Sequence, residues 1–401
     1  MEKIYSVVIV GGGAGGMLSS IELASGIDAI SGEDIAIIEK NDRLGKKLSA
    51  TGNGLGNLSN DKIEVNNYYG NDSFIKEYFL HSNIKNIKDY LYSIGIITFS
   101  DESGKIYPLS RQANAVVDVL RGVIQSKNIK VYLQSCVQNV RKEKGVFIIE
   151  CNNMIVKAKN VIISAGGKAQ KQFGTDGTSY FLATNFGHKL TQITPSLVQI
   201  KTELESIKGL KGIKEKAIVY LKDNDKVLAK EKGDILFTEY GVSGSTIFSL
   251  SSKLSLAKNP SITLEFLPEI STKDLENILI HKSFIDGANK EDILTGIINK
   301  QLAKKILSRC GEKTAKNLAT LIKNYNLKIT GTLGFNYAQV TKGGIDCKDI
   351  NPTSMQSRLV ENLYLIGEYI DVDGDCGGYN LSFAFSSGIL AGKSIKINNK
   401  A

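Results

Sequence analysis

Along this chain, apolar residues arrive first in short β-branched runs that stop at glycine. Ile4–Val10 has the pattern of a strand buried on both faces and runs directly into Gly11–Gly16. A helix follows to about Ser25, and a second buried strand, Asp34–Ile38, ends at Glu39. Val161–Ser164 repeats the device, stopped by Ala165-Gly166-Gly167. Leu363–Ile366 is the last such strand before a closing helix from about Asn380 to Ile395. Strands ended by glycine turns and followed by helices predict a doubly wound, Rossmann-like α/β domain.

The middle of the chain reads differently. From about Pro195 to Leu267, polar and apolar positions alternate (VQIKTEL, KAIVYL, SITLEFL), which predicts a β-sheet or β-barrel-like insert. Ser271-Thr272-Lys273-Asp274 has the form of a capping-box start, and residues 272–325 read as short amphipathic helices. Strand-like sequence returns at Leu327–Val340. The expected layout is discontinuous. Residues 1–194 and 345–401 form the nucleotide-binding domain, 195–270 and 326–344 the barrel-like insert, and 271–325 a small helical domain.

Hydrophobic residues make up 42% and charged residues 23%, ordinary for a soluble globular chain. Cys136, Cys151, Cys310, Cys347 and Cys376 are odd in number, scattered, and form no C-x-x-C pair. That argues against a disulfide framework or cysteine zinc site and fits a reducing cytosol. No stretch approaches the roughly 18 apolar residues of a membrane span. A cytoplasmic protein with no membrane partner is expected. The net charge of +9 is uneven: residues 300–328 carry eight Lys or Arg against Glu312. Such a segment is either a surface for phosphate or RNA, or a solvated helical face.

Gly11-x-Gly13-x-x-Gly16 sits between a strand and a helix, the context a dinucleotide fingerprint requires. The first glycine makes the turn, the second admits a pyrophosphate, and the third lets helix and strand pack closely. Glu39, ending the second strand, is placed to accept both ribose hydroxyls; the alternative is a surface acid. The C-terminus then separates flavin from nicotinamide. Flavin reduction puts negative charge at the N1–C2=O edge, and a helix N-terminus supplies the matching positive potential. Gly377-Gly378-Tyr379-Asn380 lets backbone approach a flat ring, with Asn380 placed to cap, and Gly367-Glu368 offers an acid to ribityl hydroxyls. The cofactor-binding set is Gly11, Gly13, Ala14, Gly15, Gly16, Glu39, Lys40, Ala165, Gly166, Gly167, Gly367, Glu368, Asp373, Gly378, Tyr379, Asn380 and Leu381. The cofactor read from it is FAD.

Longer strings now carry a resemblance. VIVGGGAGG, EKNDRLGKKL, TGNG with NLSN, SAGGK with GTDG, GDILFTEYGVSG, AQVTKGGI and GEYIDVDGDCGGYNLSFAFSSG are similar to the YhiN/BaiN/aminoacetone-oxidase-like family of FAD-dependent oxidoreductases. The match runs nearly end to end. It implies a discontinuous FAD domain with a β-barrel and a small helical domain. It also implies that Lys47 and Thr51, Gly52, Asn53 and Gly54 lie along the flavin, with Thr341–Gly344 approaching from the insert side. Val137 is the strand position where such flavoproteins contact the adenine part. One departure matters: the family pattern after TGxG is usually Arg-Cys-Asn, whereas this chain has Leu55-Gly56-Asn57. A cation and a thiol are missing there, unless both only shape the loop.

Two residues are candidates for catalysis. Cys376 precedes Gly377 and as a thiol can protonate a carbon while flavin N5 delivers hydride, or it is an inert buried cysteine. Tyr379 is either a second such group or a packing residue. His81, His188 and His281 are dispersed and no carboxylate cluster has ligand spacing, so no metal is expected. No second G-x-G-x-x-G follows, so NADH or NADPH would dock only transiently. The leading expectation is a reductase of an activated C=C bond, in a steroid-like enone or a uracil of ribosomal RNA. The alternatives are an oxidase of a small aminoketone or amine that makes peroxide, and an RNA-binding protein that keeps FAD without catalysis. The partners expected are therefore a small molecule or structured RNA.

Overall fold

The computed structural model describes residues 3–284 and 292–398. They fall into two compact units, residues 1–194 with 340–401, and residues 195–339. The first is built on a seven-stranded sheet. Lys130–Tyr132, Ile35–Ile38, Ile4–Val10, Ile155–Ile163 and Leu363–Leu365 run parallel, and Val146–Cys151 with Val137–Glu143 extend the sheet antiparallel. Val8 lies opposite both Ala36 and Val161. Val7, Val8, Ile9, Ile35 and Ile37 have no exposed surface. Each such side chain contributes about 1.5–3 kcal/mol through burial, which is why these runs alternate so little.

Two helices from opposite ends of the chain lie on this sheet, Ala14–Leu23 and Tyr379–Asn398. A methyl group on Gly388 would stand 2.3 Å from the Gly15 carbonyl oxygen, so the helices touch backbone to backbone. At the far end Lys396 Nζ meets Glu22 Oε1 at 2.7 Å. Two small antiparallel pieces complete the unit. Ser59–Asn60, Lys105–Pro108 and Thr98–Ser100 form one, and Tyr68–Gly70 pairs with Val372–Gly374 in the other. The last of these corrects the sequence reading, in which Leu363–Ile366 was the final strand. DVDGD has turn composition, but its backbone is held by Tyr68–Gly70, and the closing helix begins at Tyr379 rather than Asn380.

The second unit is a closed barrel in the order Ile200–Thr202, Gly241–Ser243, Lys226–Phe237, Lys214–Asp223, Pro260–Phe266, Tyr325–Thr332. Lys226–Phe237 (KVLAKEKGDILF) escapes the sequence reading because it is polar along most of its length; pairing with Lys214–Asp223 defines it. Helices Thr272–Ser283, Lys300–Arg309 and Ala315–Lys323 share one apolar cluster with the barrel, including Leu264, Leu275, Leu302, Ile306 and Ile322. Ser271, Asn299 and Thr314 cap them by accepting from the Asp274, Gln301 and Asn317 N–H groups. The fold class is the expected one, a Rossmann-like sheet and a barrel in one chain, but the helices within 271–325 share the barrel's core and compact unit and do not stand apart.

Candidate functional site

The first corner is assembled by sterics. Gly11 has φ +103, and a methyl group there would lie 2.4 Å from the Ser164 carbonyl oxygen; on Gly16 it would lie 2.0 Å from the Gly11 oxygen. At Gly13 the same methyl would meet nothing within 4 Å, and no side chain caps the helix that starts behind it. The helix start is thus open on the side where that methyl would point, and no side chain occupies it. Glu39 is buried, not a surface acid. Its Oε2 accepts from the Gly12 N–H and its Oε1 from the Asn41 N–H and Nδ2, each at 2.8 Å. Lys40 pairs with Asp176 at 3.6 Å, on the rim.

The second corner is held by charge. Lys47 Nζ meets Glu368 Oε2 at 2.7 Å, and Glu368 Oε1 accepts the Thr341 N–H at 2.9 Å. The Thr341 hydroxyl oxygen accepts from the Lys168 and Ala169 N–H groups at 2.7 and 3.0 Å. A methyl on Gly167 would stand 2.4 Å from that oxygen, which explains the glycine between Ala165, Gly166 and this knot. Gly367 has φ +67 and donates to the Ser387 hydroxyl at 3.0 Å.

Beside this knot the loop after Lys47 runs left-handed at Gly52 (φ 62), Asn53 (φ 56), Gly54 (φ 86) and Gly56 (φ 78), while the Thr51 hydroxyl turns back to the Lys47 carbonyl. Leu55 is 47% exposed. Asn57 joins this loop to the closing helix: its amide nitrogen donates to the Ser59 carbonyl and its oxygen accepts the Gly378 N–H, at 3.0 and 3.2 Å. Gly378 has φ +101, and a methyl there would lie 2.3 Å from the Ser59 carbonyl oxygen. The Asn60 amide donates to the Gly377 carbonyl at 3.0 Å, and the Ser382 hydroxyl to that of Ser59 at 2.7 Å. Loop, strand and helix start are one bonded assembly.

Three sequence-derived roles are specified further. Asn380 does not cap the helix; its Oδ1 accepts the Gly374 N–H and its Nδ2 donates to the Gly374 carbonyl, both at 2.8 Å, locking the preceding turn. Tyr379 is 8% exposed, edge-on to Tyr68 at 6.2 Å, with Tyr68 donating to its carbonyl. This placement suits a packing residue, and its ring edge lies beside the Cys376-Gly377 turn. Asp373 is 1% exposed, enclosed in the Val372–Gly374 hairpin, and among the described residues neither oxygen has a hydrogen-bond partner. Burial pushes its carboxyl up to about 7, helped by Asp371 and Asp375 and opposed by Lys342. Leu381 packs on the core, and Val137, opposite Cys151, starts the outermost strand of the sheet extension.

His188 is buried between the Ala183 carbonyl and the Ser357 hydroxyl, and burial lowers its affinity for a proton. Among the described residues no group of three His, Cys, Asp or Glu is arranged for a metal ion, and no helix is long and apolar enough to cross a membrane. Sequence reasoning missed Lys105, which lies under the Cys376-Gly377 turn, because a lone lysine in GKIYP carries no motif of its own.

The profile of the HI0933-like protein Rossmann domain matches residues 5–394. The chain belongs to this family. A 3-dehydro-bile acid delta(4,6)-reductase of Clostridium scindens is 32% identical over 404 residues, covering 96% of this chain and 98% of that one. The ribosomal RNA dihydrouridine synthase of Escherichia coli is 26% identical, with 96% of both chains covered. Among solved structures, the 3-ketosteroid-delta4-(5alpha)-dehydrogenase of Rhodococcus jostii RHA1 superposes with a TM-score of 0.53 at 14% identity, covering 99% of this chain and 98% of that one. The quinol fumarate reductase FrdA of E. coli gives 0.53 at 14%, covering 100% and 71%. These likenesses fix the fold. The chain is an FAD-dependent oxidoreductase.

Proposed function

We propose that the protein is a reductase that adds hydride and a proton across a C=C bond conjugated to a carbonyl. The observation that carries this reading is the pair of full-length relatives. The names of both denote saturation of such a bond, one in a bile-acid enone and the other in a uracil ring. The first corner fits the cofactor. An uncapped helix start opposite unfilled space at Gly13 suits a diphosphate, and Glu39 keeps lone pairs for ribose hydroxyls. At the second corner, Lys47, Glu368 and the Thr51–Gly54 loop would hold the ribityl and ring portions. The backbone at Gly378 would bring the positive end of the last helix to the ring edge. Bound and reduced, FAD supplies the hydride; orientation, water exclusion and proton delivery belong to the chain.

A small, flat enone is the substrate class favoured by the higher identity of the bile-acid reductase. RNA is supported by one feature of the second unit, a cleft of about 220 Å³ lined by Lys208, Lys304, Lys305, Gln301 and Ser308. NADH or NADPH is the proposed donor. The test is anaerobic: the purified protein is yellow, a nicotinamide bleaches it, and 4-androstene-3,17-dione or a uridine-containing oligonucleotide restores the colour. Fast recolouring by oxygen alone, with neither acceptor working, would instead mark an oxidase.

A further inference from the structure

Within the first unit the Cys376-Gly377 turn leans on the Lys105–Pro108 strand. A methyl on Gly377 would stand 3.5 Å from Lys105 Cε and 3.6 Å from Asn60 Nδ2. Lys105 and Cys376 are both half-buried. No carboxylate among the described residues comes within ion-pairing distance of the Lys105 ammonium. Asp375, the nearest acid in the turn, has both oxygens engaged, by Asn67 at 3.0 Å and Tyr69 at 2.7 Å. Asp101 is taken up by the Lys105 and Ser103 N–H groups and the Ser103 hydroxyl. The cation is nevertheless felt at the thiol. Burial raises the Cys376 thiol most and Asp375 adds to that, while Lys105 pulls the other way. Tyr107, stacked on Phe99 at 6.0 Å, completes this face, and burial, Asp101 and Cys376 keep its phenol protonated. Lys105 makes no close ion pair, its charge is met only at longer range by Asp101, and it stands half-withdrawn from water beside a thiol.

We propose that Lys105 is a catalytic cation, held beside the Cys376 turn to neutralise the negative charge that hydride addition leaves on the substrate carbonyl oxygen, while Cys376 protonates the adjacent carbon. The proposal rests on the reductase reading above. Hydride supplied by bound, reduced FAD would enter at the carbon β to the carbonyl. The C=C pair moves toward oxygen as an enolate beside the Lys105 ammonium. The enolate carbon then takes the Cys376 proton, and the thiolate left beside Lys105 is reprotonated from water. The substrate gains two electrons and two hydrogens, and the nicotinamide donor restores the flavin.

The experiment compares wild type, Lys105→Met and Lys105→Arg as flavin-loaded proteins. Iodoacetamide labelling of the Cys376 peptide is followed by mass spectrometry across pH, together with 4-androstene-3,17-dione reduction. Lys105→Met is expected to label Cys376 several-fold more slowly near neutral pH, keep its flavin absorbance and nicotinamide bleaching, and lose about 100-fold in enone turnover. Lys105→Arg is expected to recover most of both. Unchanged labelling or unchanged turnover in Lys105→Met overturns the proposal. A colourless wild type that takes up no FAD overturns the reductase reading instead, and the labelling comparison still reports whether Lys105 governs the thiol.

Discussion

The helix starts of the barrel unit's helical segment differ from those at the two nucleotide corners. In the barrel unit, Ser271, Asn299 and Thr314 each satisfy an amide of the helix they precede. In the nucleotide unit, the Ala14–Leu23 helix begins at Gly13 without a side-chain cap, and the Tyr379–Asn398 helix begins behind Gly377 and Gly378. The difference follows the site and not the unit: Asn71 caps Asp72–His81 in the nucleotide unit, and Ser245–Ser251 in the barrel unit starts at Gly244 without a side-chain cap. What sets the two nucleotide corners apart is the cluster of glycines and positive-φ backbone at the helix starts, where a ligand would approach.

The largest effect that would sharpen this contrast is Gly13→Asp. Its side chain has room, so the apo fold should survive, but a carboxylate against the diphosphate should weaken FAD binding by more than about 100-fold, read as a colourless protein with an unchanged circular dichroism spectrum. A yellow Gly13→Asp protein would break the comparison. Gly16→Val should instead unfold the unit, because even its first carbon would fall 2.0 Å from the Gly11 oxygen; a loss of about 3 kcal/mol or more is expected in chemical denaturation.

Asp373 gives a pH signature confined to the nucleotide unit. Its carboxyl is raised to about 7 in the fold, so the neutral form is the stabilising one. That contribution is complete below the unfolded value of about 3.9 and is lost as pH rises through about 7. Between about pH 5 and about pH 7, the stability difference between wild type and Asp373→Asn should move by about 2 kcal/mol in favour of the variant. A pH-independent difference refutes the enclosed, neutral acid. Smallest of all, Thr314→Ala should cost about 1 kcal/mol in the barrel unit and leave the flavin spectrum untouched.

The parallel sheet and the first corner were legible because burial on both faces demands apolar runs and close packing demands glycine at Gly11 and Gly16. The second corner was legible only as a set of residues. Their wiring was not: Asn380 bonds backward to Gly374, and Tyr379 turns into the core, because spacing along a chain does not say which way a side chain leaves a turn. The strand Lys226–Phe237 and the pairing of Val372–Gly374 depend on partners distant in sequence. Lys105 was invisible for the same reason, its significance lying in a turn more than 250 residues away in sequence and not in its own type.

The contact of Gly15 with Gly388 has a consequence for biosynthesis. The nucleotide-gripping turn is synthesised before the helix that braces it, with the whole barrel made in between. The barrel can consolidate while its host waits, open-sided, for that helix. The grip on a coenzyme is therefore completed only after the barrel has been made.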